Sequence, residues 1–189
     1  MVKFRNEIFK IMIDADGFRF NVGIILIDNQ NRVFWAKRVG LDAWQFPQGG
    51  ILKDETPEQA MYRELDEEIG LKPTDIQILG CTSDWLYYRL PKQFIRYNKK
   101  PLCIGQKQRW FLIKLIADEK KIKLDRYAVP EFECWRWVDY WRPLQEIIDF
   151  KREVYSQALD ELAPLIGENS GKPLPLCTSL SKDQIKDKC

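Results

Sequence analysis

Residues 49–71, GGILKDETPEQAMYRELDEEIGL, constrain this 189-residue chain more than any other segment. Thr56 supplies an N-cap hydroxyl, and Pro57 suits the first position of a helix. Apolar residues recur at helical spacing as far as Ile69, and Gly70 fits the left-handed C′ position. The segment therefore predicts a helix that begins at Pro57 and ends at about Ile69.

The predicted helix carries carboxylates along one side. Three of them share an arc of about 100°, and an apolar stripe lies beside that arc. The carboxylates are Glu64, Glu67 and Glu68, and the stripe is Met61, Leu65 and Ile69. Arg63 lies one turn before Glu67 and is placed to pair with it. Asp66 points nearly opposite, and we expect it to be only solvated.

Carboxylates at this spacing repel one another, and a divalent cation would reverse the sign of that interaction. Oxygen ligands at this density suit Mg²⁺ or Mn²⁺ bridging to substrate phosphates. Gly49 and Gly50 let the backbone approach closely, so a carbonyl could serve as a further ligand. Taken alone, RELDEE is more typical of a solvated, glutamate-rich helix face than of a metal site.

Composition narrows the chemistry. The chain contains no histidine, which excludes His triads, His-ligated zinc and imidazole bases. Any acid–base or metal chemistry therefore falls to carboxylates. The 30 Lys and Arg nearly balance the 28 Asp and Glu, so the net charge of the chain identifies no partner.

The spacing of the segment is that of a known motif. From Gly49, five residues lead to Glu55, and seven more lead to Arg63. The remaining defined positions are Glu64, Leu65, Glu67, Glu68, Gly70 and Leu71. At every defined position the segment resembles the Nudix box, G-x5-E-x7-R-E-U-x-E-E-x-G-U, in which U is bulky and aliphatic.

The resemblance implies a fold and a chemistry. Nudix hydrolases are α/β/α sandwiches with a mixed β-sheet, and they cleave a nucleoside diphosphate linked to another group. A divalent metal, Mg²⁺ or Mn²⁺, is the implied cofactor. The implied metal ligands are the carbonyl of Gly49 and the catalytic carboxylates of Glu64, Glu67 and Glu68, with Glu55 and Arg63 as a supporting pair.

Segments outside the box resemble one group within that family, the bacterial RNA pyrophosphohydrolases. They include GFRFNVGIILI, WQFPQGG, CIGQKQRWFL and PEFECWRWV, and the resemblance spans residues 14–163. It implies a 5′-triphosphorylated RNA substrate. Removal of pyrophosphate would leave a 5′-monophosphate and promote mRNA decay.

The same resemblance implies site residues outside the helix. Glu131 in PEFECW is the best candidate for a further catalytic carboxylate, as metal ligand or general base, although the local pattern does not separate it from Glu133. The implied substrate-binding residues are Arg19, Arg38, Gln106, Phe150 and Lys151. By pattern alone, Phe150 fits a helix core nearly as well, and Gln106 fits the cap of a strand.

A basic stretch gives independent support for an RNA partner. From Arg89 to Arg109 there are seven basic and no acidic residues, with Phe94 and Tyr97 among them. The basic residues are Arg89, Lys92, Arg96, Lys99, Lys100, Lys107 and Arg109. Such a stretch can follow a phosphate backbone and bind it in a salt-dependent way. A basic surface loop that only aids solubility is the alternative.

The chain length suits one domain. We expect an N-terminal extension at 1–11, the Nudix domain at 12–163 and a flexible C-terminal tail at 164–189. Strands are predicted at 21–28, 33–38, 76–90, 108–117 and 133–141, and a second, amphipathic helix at 143–166. Since there is neither a signal segment nor an apolar run of about 20 residues, we expect a cytoplasmic protein without a membrane partner.

Two other functions are compatible with the sequence. A dinucleoside polyphosphate hydrolase, acting on molecules such as diadenosine tetraphosphate, would share WQFPQGG but would have no need of the basic stretch. A Nudix-fold RNA-binding module without catalysis is disfavoured because all three box glutamates are present.

Overall fold

The computed structural model describes residues 12–167, and its elements follow the chain in the order β1–β4, α1, β5–β8, α2, α3. The strands are β1 Phe18–Ile27, β2 Val33–Arg38, β3 Trp44–Gln45, β4 Gln48–Gly50, β5 Ile76–Cys81, β6 Leu86–Arg89, β7 Gly105–Leu115 and β8 Phe132–Val138. The helices are α1 Pro57–Ile69, α2 Pro143–Glu146 and α3 Asp149–Leu162. The expected extension at 1–11 lies outside the described residues, as does the expected tail beyond 167. Residues 163–166 form a 3-10 turn.

The strands form one mixed sheet. Strand β1 runs parallel to β7 and antiparallel to β2 and β4. The sheet follows the order β3-β2-β1-β7-β5, with β4 added to β1, β6 to β7 and β8 to β2. This arrangement confirms the expected mixed β-sheet and places β4, which carries the glycine pair, beside the centre of the sheet.

The central strand β1 divides the core into two layers. Val22 and Ile24 pack on one face together with α1, whereas Ile25 and Ile27 pack on the other face together with α3. This alternation follows from the two-residue period of a strand. Because each face is covered by a helix, the fold is the expected α/β/α sandwich.

Helix α1 has the predicted boundaries. The Thr56 hydroxyl accepts a hydrogen bond from the Gln59 N–H, and the Gln59 side chain accepts one from the Thr56 N–H, which completes a capping box. At the other end, Gly70 has φ 74° and donates its N–H to the carbonyl of Asp66. Caps of this kind are worth about 1 kcal/mol each, so the sequence fixes this helix locally.

The prediction of one continuous helix at 143–166 is wrong. The helix is interrupted at Ile147 and Ile148, whose ψ angles of 145° and 136° are extended. Ile147 is only 4% exposed, and its burial in the α3 layer favours the break. As a result, α3 begins at Asp149, and Phe150 and Lys151 lie in its first turn. No helix within residues 12–167 is long and apolar enough to cross a membrane.

Candidate active site

Helix α1 places its three clustered glutamates at the edge of the core. Glu64 and Glu68 are 8% and 7% exposed, whereas the side chain of Glu67 is 46% exposed. Leu65, in the apolar stripe beside them, is fully buried and anchors the helix to the sheet. The apolar stripe therefore fixes the helix, and the carboxylates lie along its border.

Gly49 is required by the position of Glu64. A Cβ added to Gly49 would lie 1.8 Å from Cδ of Glu64 and 1.9 Å from its Oε1, so any side chain there would displace the Glu64 carboxylate. Gly50 has a similar relation to Arg19, because its Cβ would lie 2.3 Å from an Arg19 guanidinium nitrogen. The glycine pair thus leaves room for one carboxylate and one cation. A metal-ligand role for the Gly49 carbonyl stays a prediction.

Arg63 connects the motif residues. Its Nε and Nη2 donate to the two carboxylate oxygens of Glu55 at 2.9 and 3.0 Å, and Nη2 also donates to the Gly50 carbonyl at 2.8 Å. Its Nη1 donates to Glu64 at 2.6 Å and to Glu67 at 3.1 Å. The supporting pair therefore joins the helix to the glycine strand, and the expected contact between Arg63 and Glu67 is present.

The carboxylates of the site differ in the direction of their pKa shifts. The Glu55 carboxylate is partly buried, but hydrogen bonds from Arg63 and from the Leu52 N–H hold its pKa below the usual value. Burial raises the pKa of Glu64, and Arg63 partly opposes the rise. Burial raises the pKa of Glu68 well above its usual value, and the charges of Glu64 and Glu131 add to the effect.

Glu68 is also held by the backbone. The Gln48 N–H on β4 donates to its Oε2 at 3.0 Å. The Gln48 side chain in turn accepts a hydrogen bond from Gln108, a fully buried amide on β7. The sheet thus orients the most deeply perturbed carboxylate of the site.

Four carboxylates line one cavity of about 340 Å³. Its lining consists of Glu64, Glu67, Glu68, Tyr127, Val129 and Glu131. Glu133, the residue that the sequence could not separate from Glu131, instead pairs with Lys37 at 2.8 Å and accepts the Gly40 N–H. The structure therefore distinguishes the two: Glu131 faces the cavity, and Glu133 does not line it.

The residues around the cavity fit a hard divalent cation by their donor chemistry. Their charged donors are all carboxylate oxygens, two of them buried and mutually repelling, which is a charge pattern that Mg²⁺ or Mn²⁺ would relieve. Within residues 12–167 the acidic side chains are not drawn together into a compact ligand cluster. Arg63 instead supplies the positive charge nearest to Glu64 and Glu67.

Two expected substrate-binding cations lie beside the carboxylates. Arg38 pairs with Glu131 at 2.7 Å. Lys151 is 9% exposed, and its ammonium contacts Gln45 Oε1 at 3.3 Å. Burial and the nearby Arg38 charge lower the pKa of Lys151 to about 8, although Glu131 and Glu68 oppose the shift. Among the described residues, Lys151 forms no ion pair.

The other expected substrate-binding residues do not line the carboxylate cavity. Arg19 lies over Gly50, and burial leaves its Nε without a partner within the described part of the chain. Gln106 accepts a hydrogen bond from the Asn21 amide at 3.0 Å. Phe150 is half-buried and packs against Tyr88. None of the three lines the carboxylate cavity.

The sequence did not identify Tyr127 and Val129, which form the rim of the cavity. Tyr127 donates its hydroxyl to Asp66 at 3.2 Å. Asp66 also pairs with Lys72 at 2.7 Å and with Arg126 at 3.2 Å, so the expectation that it is only solvated is wrong. The one available signal was position, because Tyr127 closely precedes Glu131 in the sequence.

The basic stretch divides into two parts. Lys107 and Arg109 belong to β7, where Lys107 pairs with Asp14 and Arg109 donates to the Ser83 carbonyl at 2.7 Å. The remaining five basic residues are exposed: Arg89, Lys92, Arg96, Lys99 and Lys100. Only this first part is available to an extended anion.

Comparison with known protein families gives a match over most of the chain. Residues 17–158 match the NUDIX domain family. An RNA pyrophosphohydrolase of Alkalilimnicola ehrlichii is 58% identical over 155 residues, covering 82% of this chain and 86% of that protein. An RNA pyrophosphohydrolase of Pseudomonas fluorescens SBW25 is 60% identical over 153 residues, covering 81% of this chain and 96% of that protein.

Solved structures share the fold at low sequence identity. The dihydroneopterin triphosphate pyrophosphohydrolase of E. coli aligns with a TM-score of 0.57 at 19% identity, over 73% of this chain and 92% of that one. A C. elegans Ap4A hydrolase aligns with a TM-score of 0.57 at 15% identity, over 78% of this chain and 96% of that one. At such identities the likeness concerns the fold alone.

Proposed function

Because this chain belongs to the Nudix family, we propose that it is an RNA pyrophosphohydrolase, which removes pyrophosphate from the 5′-triphosphate end of RNA and leaves a 5′-monophosphate. Relatives that are about 60% identical over most of the chain carry this name. The reaction is hydrolysis of an acid anhydride. Since its product is an RNA end open to decay, we place the protein in the cytoplasm.

The observation that carries the proposal is the environment of Lys151. Its ammonium is almost fully buried, and no carboxylate within residues 12–167 pairs with it. Keeping an unpaired charge buried costs stability, which favours a functional reason for it. An RNA 5′-phosphate beside the carboxylate cavity would supply the missing counter-charge.

A divalent metal is part of the proposal. Nudix enzymes generally use such ions, and we propose Mg²⁺ or Mn²⁺ held by Glu64, Glu67, Glu68 and the Gly49 carbonyl, with Glu131 as a further ligand or base. When bound, the metal supplies Lewis-acid neutralisation of phosphate charge and activation of the attacking water.

The protein prepares this site through fixed contacts. Arg63, in the middle of α1, and Glu55 hold the helix against the glycine strand, which keeps Glu64 beside Gly49. The Gln48 N–H orients Glu68. These contacts hold the carboxylates in place before substrate arrives, so little reorganisation is needed during reaction.

Glu131 lies in the same cavity but comes from the segment before β8, not from α1. We assign it to accept the proton of the attacking water because its side chain is 36% exposed and lines the cavity, within reach of solvent. Arg38, its partner at 2.7 Å, would then be free to contact the phosphate chain when Glu131 takes up the proton.

The RNA end would lie on the cationic side of the site. Arg19, Arg38 and Lys151 carry the charges that an RNA 5′ end needs, and Gln106 lies beside Arg19's strand in the parallel register of β1 and β7. Phe150, half-buried in the first turn of α3, offers an apolar surface for a base.

A direct assay tests the proposal. The purified protein is incubated with Mg²⁺ and a 5′-triphosphate RNA labelled at its γ-phosphate, with unlabelled diadenosine tetraphosphate as competitor. We expect labelled pyrophosphate or phosphate to be released, with little inhibition by modest amounts of the competitor. Chelation of the metal ion should abolish the release. Cleavage of the dinucleotide without release from RNA would move the function to dinucleoside polyphosphate hydrolysis.

A further inference from the structure

Phe94 is an exposed aromatic ring connected to the site by other rings. It ends the short 3-10 turn Lys92–Phe94 and is 50% exposed. Its ring centroid lies 5.6 Å from that of Phe150, which lies 5.7 Å from that of Tyr88. The Lys151 ammonium lies 5.9 Å from the Tyr88 ring. A row of three rings therefore leads from the basic loop to the buried ammonium.

The charges around Phe94 are unpaired cations. Lys92 and Arg96 flank it in sequence and are exposed, and neither forms an ion pair within residues 12–167. No acidic residue occurs between Arg89 and Arg109. By contrast, Lys107 at the end of this stretch is paired with Asp14. The free positive charge is thus concentrated beside the exposed ring.

An exposed aromatic ring beside unpaired cations is the kind of surface that binds single-stranded nucleic acid. Bases stack on exposed aromatic faces irrespective of sequence, and neighbouring cations bind the phosphates between them. Phe94 contacts Phe150, which in turn contacts Tyr88, and Phe94 is the exposed end of this row whereas Tyr88 is buried. An RNA strand whose first bases occupy the site would pass over it.

We propose that Phe94 is a stacking position for an RNA base downstream of the 5′ end, with Lys92 and Arg96 binding the adjoining phosphates. The inference rests on the proposed function, since it extends the same RNA site. RNAs long enough to reach Phe94 should therefore bind more tightly than shorter ones, because only they can stack a base on this ring.

The test compares two variants and two substrates. Phe94→Leu keeps apolar packing against Phe150 but removes the ring, and Phe94→Tyr keeps the ring. The substrates are 5′-triphosphate RNAs of two and of twelve nucleotides, and we expect the short one to end before the loop. We expect Phe94→Leu to raise KM for the twelve-nucleotide RNA by about five- to tenfold, the lower part of the range for losing one stacked base.

The other measurements should stay at the wild-type values: kcat on both RNAs, KM for the two-nucleotide RNA, and all parameters of Phe94→Tyr. Equal changes of Phe94→Leu on both RNAs, or no change on either, would overturn the proposal, because the ring would then be structural or irrelevant.

A binding measurement separates this inference from the proposed function. The Kd of a twelve-nucleotide RNA with a 5′-hydroxyl is measured for the wild type and Phe94→Leu. If the wild type cleaves neither triphosphate RNA, the proposed function fails. In that case weaker binding by Phe94→Leu would still support the stacking position, and unchanged binding would overturn it.

Discussion

Gly49 and Glu64 are in direct contact, so that a Cβ at position 49 would lie 1.8 Å from the Glu64 carboxyl carbon. Gly49→Ala should therefore displace Glu64 from its place in the cavity. A displacement of about 1 Å can cost on the order of 100-fold in rate, and we expect kcat to fall by that much with a folded protein. Steady-state kinetics and thermal unfolding measure the two effects.

A second glycine provides the matched control. Gly80→Ala on β5 would meet only the flexible end of Leu165. It should leave activity near the wild-type value, although it introduces the same extra methyl group. Similar losses in the two variants would mean that the contact with Glu64 is not what position 49 contributes.

The exposure of Glu67 makes it the cleanest test of the metal ligands. Its side chain is 46% exposed and its ion pair with Arg63 is partly solvated, so Glu67→Gln should change stability little. Because Glu67 is a proposed metal ligand, Glu67→Gln should lower turnover by about two orders of magnitude or more. Glu58→Gln, exposed in the first turn of the same helix, is the control and should be fully active. Wild-type turnover of Glu67→Gln would remove it from the ligand set.

The sequence predicted helix α1 to the residue because its signals are local. Thr56, Pro57 and Gly70 act on their own neighbours, and the glutamate spacing follows from helical geometry. Strands β1 and β2 were also predicted, at 21–28 and 33–38, since each contains an apolar run followed by turn residues, although β1 begins three residues earlier, at Phe18. Signals of this kind depend on neighbouring residues in the sequence, so the tertiary structure does not override them.

Contacts between distant segments were not predictable. Asp66 is bound by Lys72, Arg126 and Tyr127, of which the last two come from the loop before β8. The helical pattern gives the face on which Asp66 lies but does not predict partners from a distant segment. The break at Ile147 is likewise decided by burial in the α3 layer and not by its own helix propensity.

Glu131 and Glu133 form a natural pair for testing the outer carboxylate. They are two residues apart, yet only Glu131 lines the cavity, while Glu133 is held by Lys37 and the Gly40 N–H. If Glu131 accepts the proton of the attacking water, Glu131→Gln should lower kcat by about 100- to 10,000-fold. Glu133→Gln should retain nearly full activity. Reversed effects in single-turnover assays would contradict the assignment.

Lys151 should lower stability while serving function. Its pKa of about 8 in the folded protein is below its usual 10.5, so at pH 7 both folded and unfolded chains are protonated and the burial cost is fully present. Between about pH 8 and 10.5 the folded chain loses this proton first, and the cost disappears as pH rises. Lys151→Met should therefore raise the free energy of unfolding at pH 7, by about 3 kcal/mol at most.

The same variant should bind RNA less well. A charge-assisted contact is worth about 1.5–3 kcal/mol, so KM for triphosphate RNA should rise about tenfold or more. The wild-type KM should also rise above about pH 8, whereas that of Lys151→Met should not. Urea unfolding and kinetics at several pH values measure these changes. An unchanged KM in Lys151→Met would refute the role of Lys151 in RNA binding, and a less stable variant at pH 7 would refute the burial cost.

Lys99 and Lys100 test whether the basic loop binds the RNA backbone. Both are exposed, and neither forms an ion pair among the residues the structure describes, so their reversal to glutamate removes no native contact of that kind. Each lost phosphate contact with a single strand should reduce the salt dependence of binding by about 0.7 in log K against log salt. The double variant should therefore lose affinity for long RNA, most strongly at low salt, and remain active on a dinucleoside polyphosphate. Lys120→Glu with Lys123→Glu, exposed in the segment between β7 and β8, makes the same charge change as a control. If both double variants weaken RNA binding equally, net charge is responsible and the loop has no special role; equal losses on RNA and dinucleotide would assign the effect to the fold.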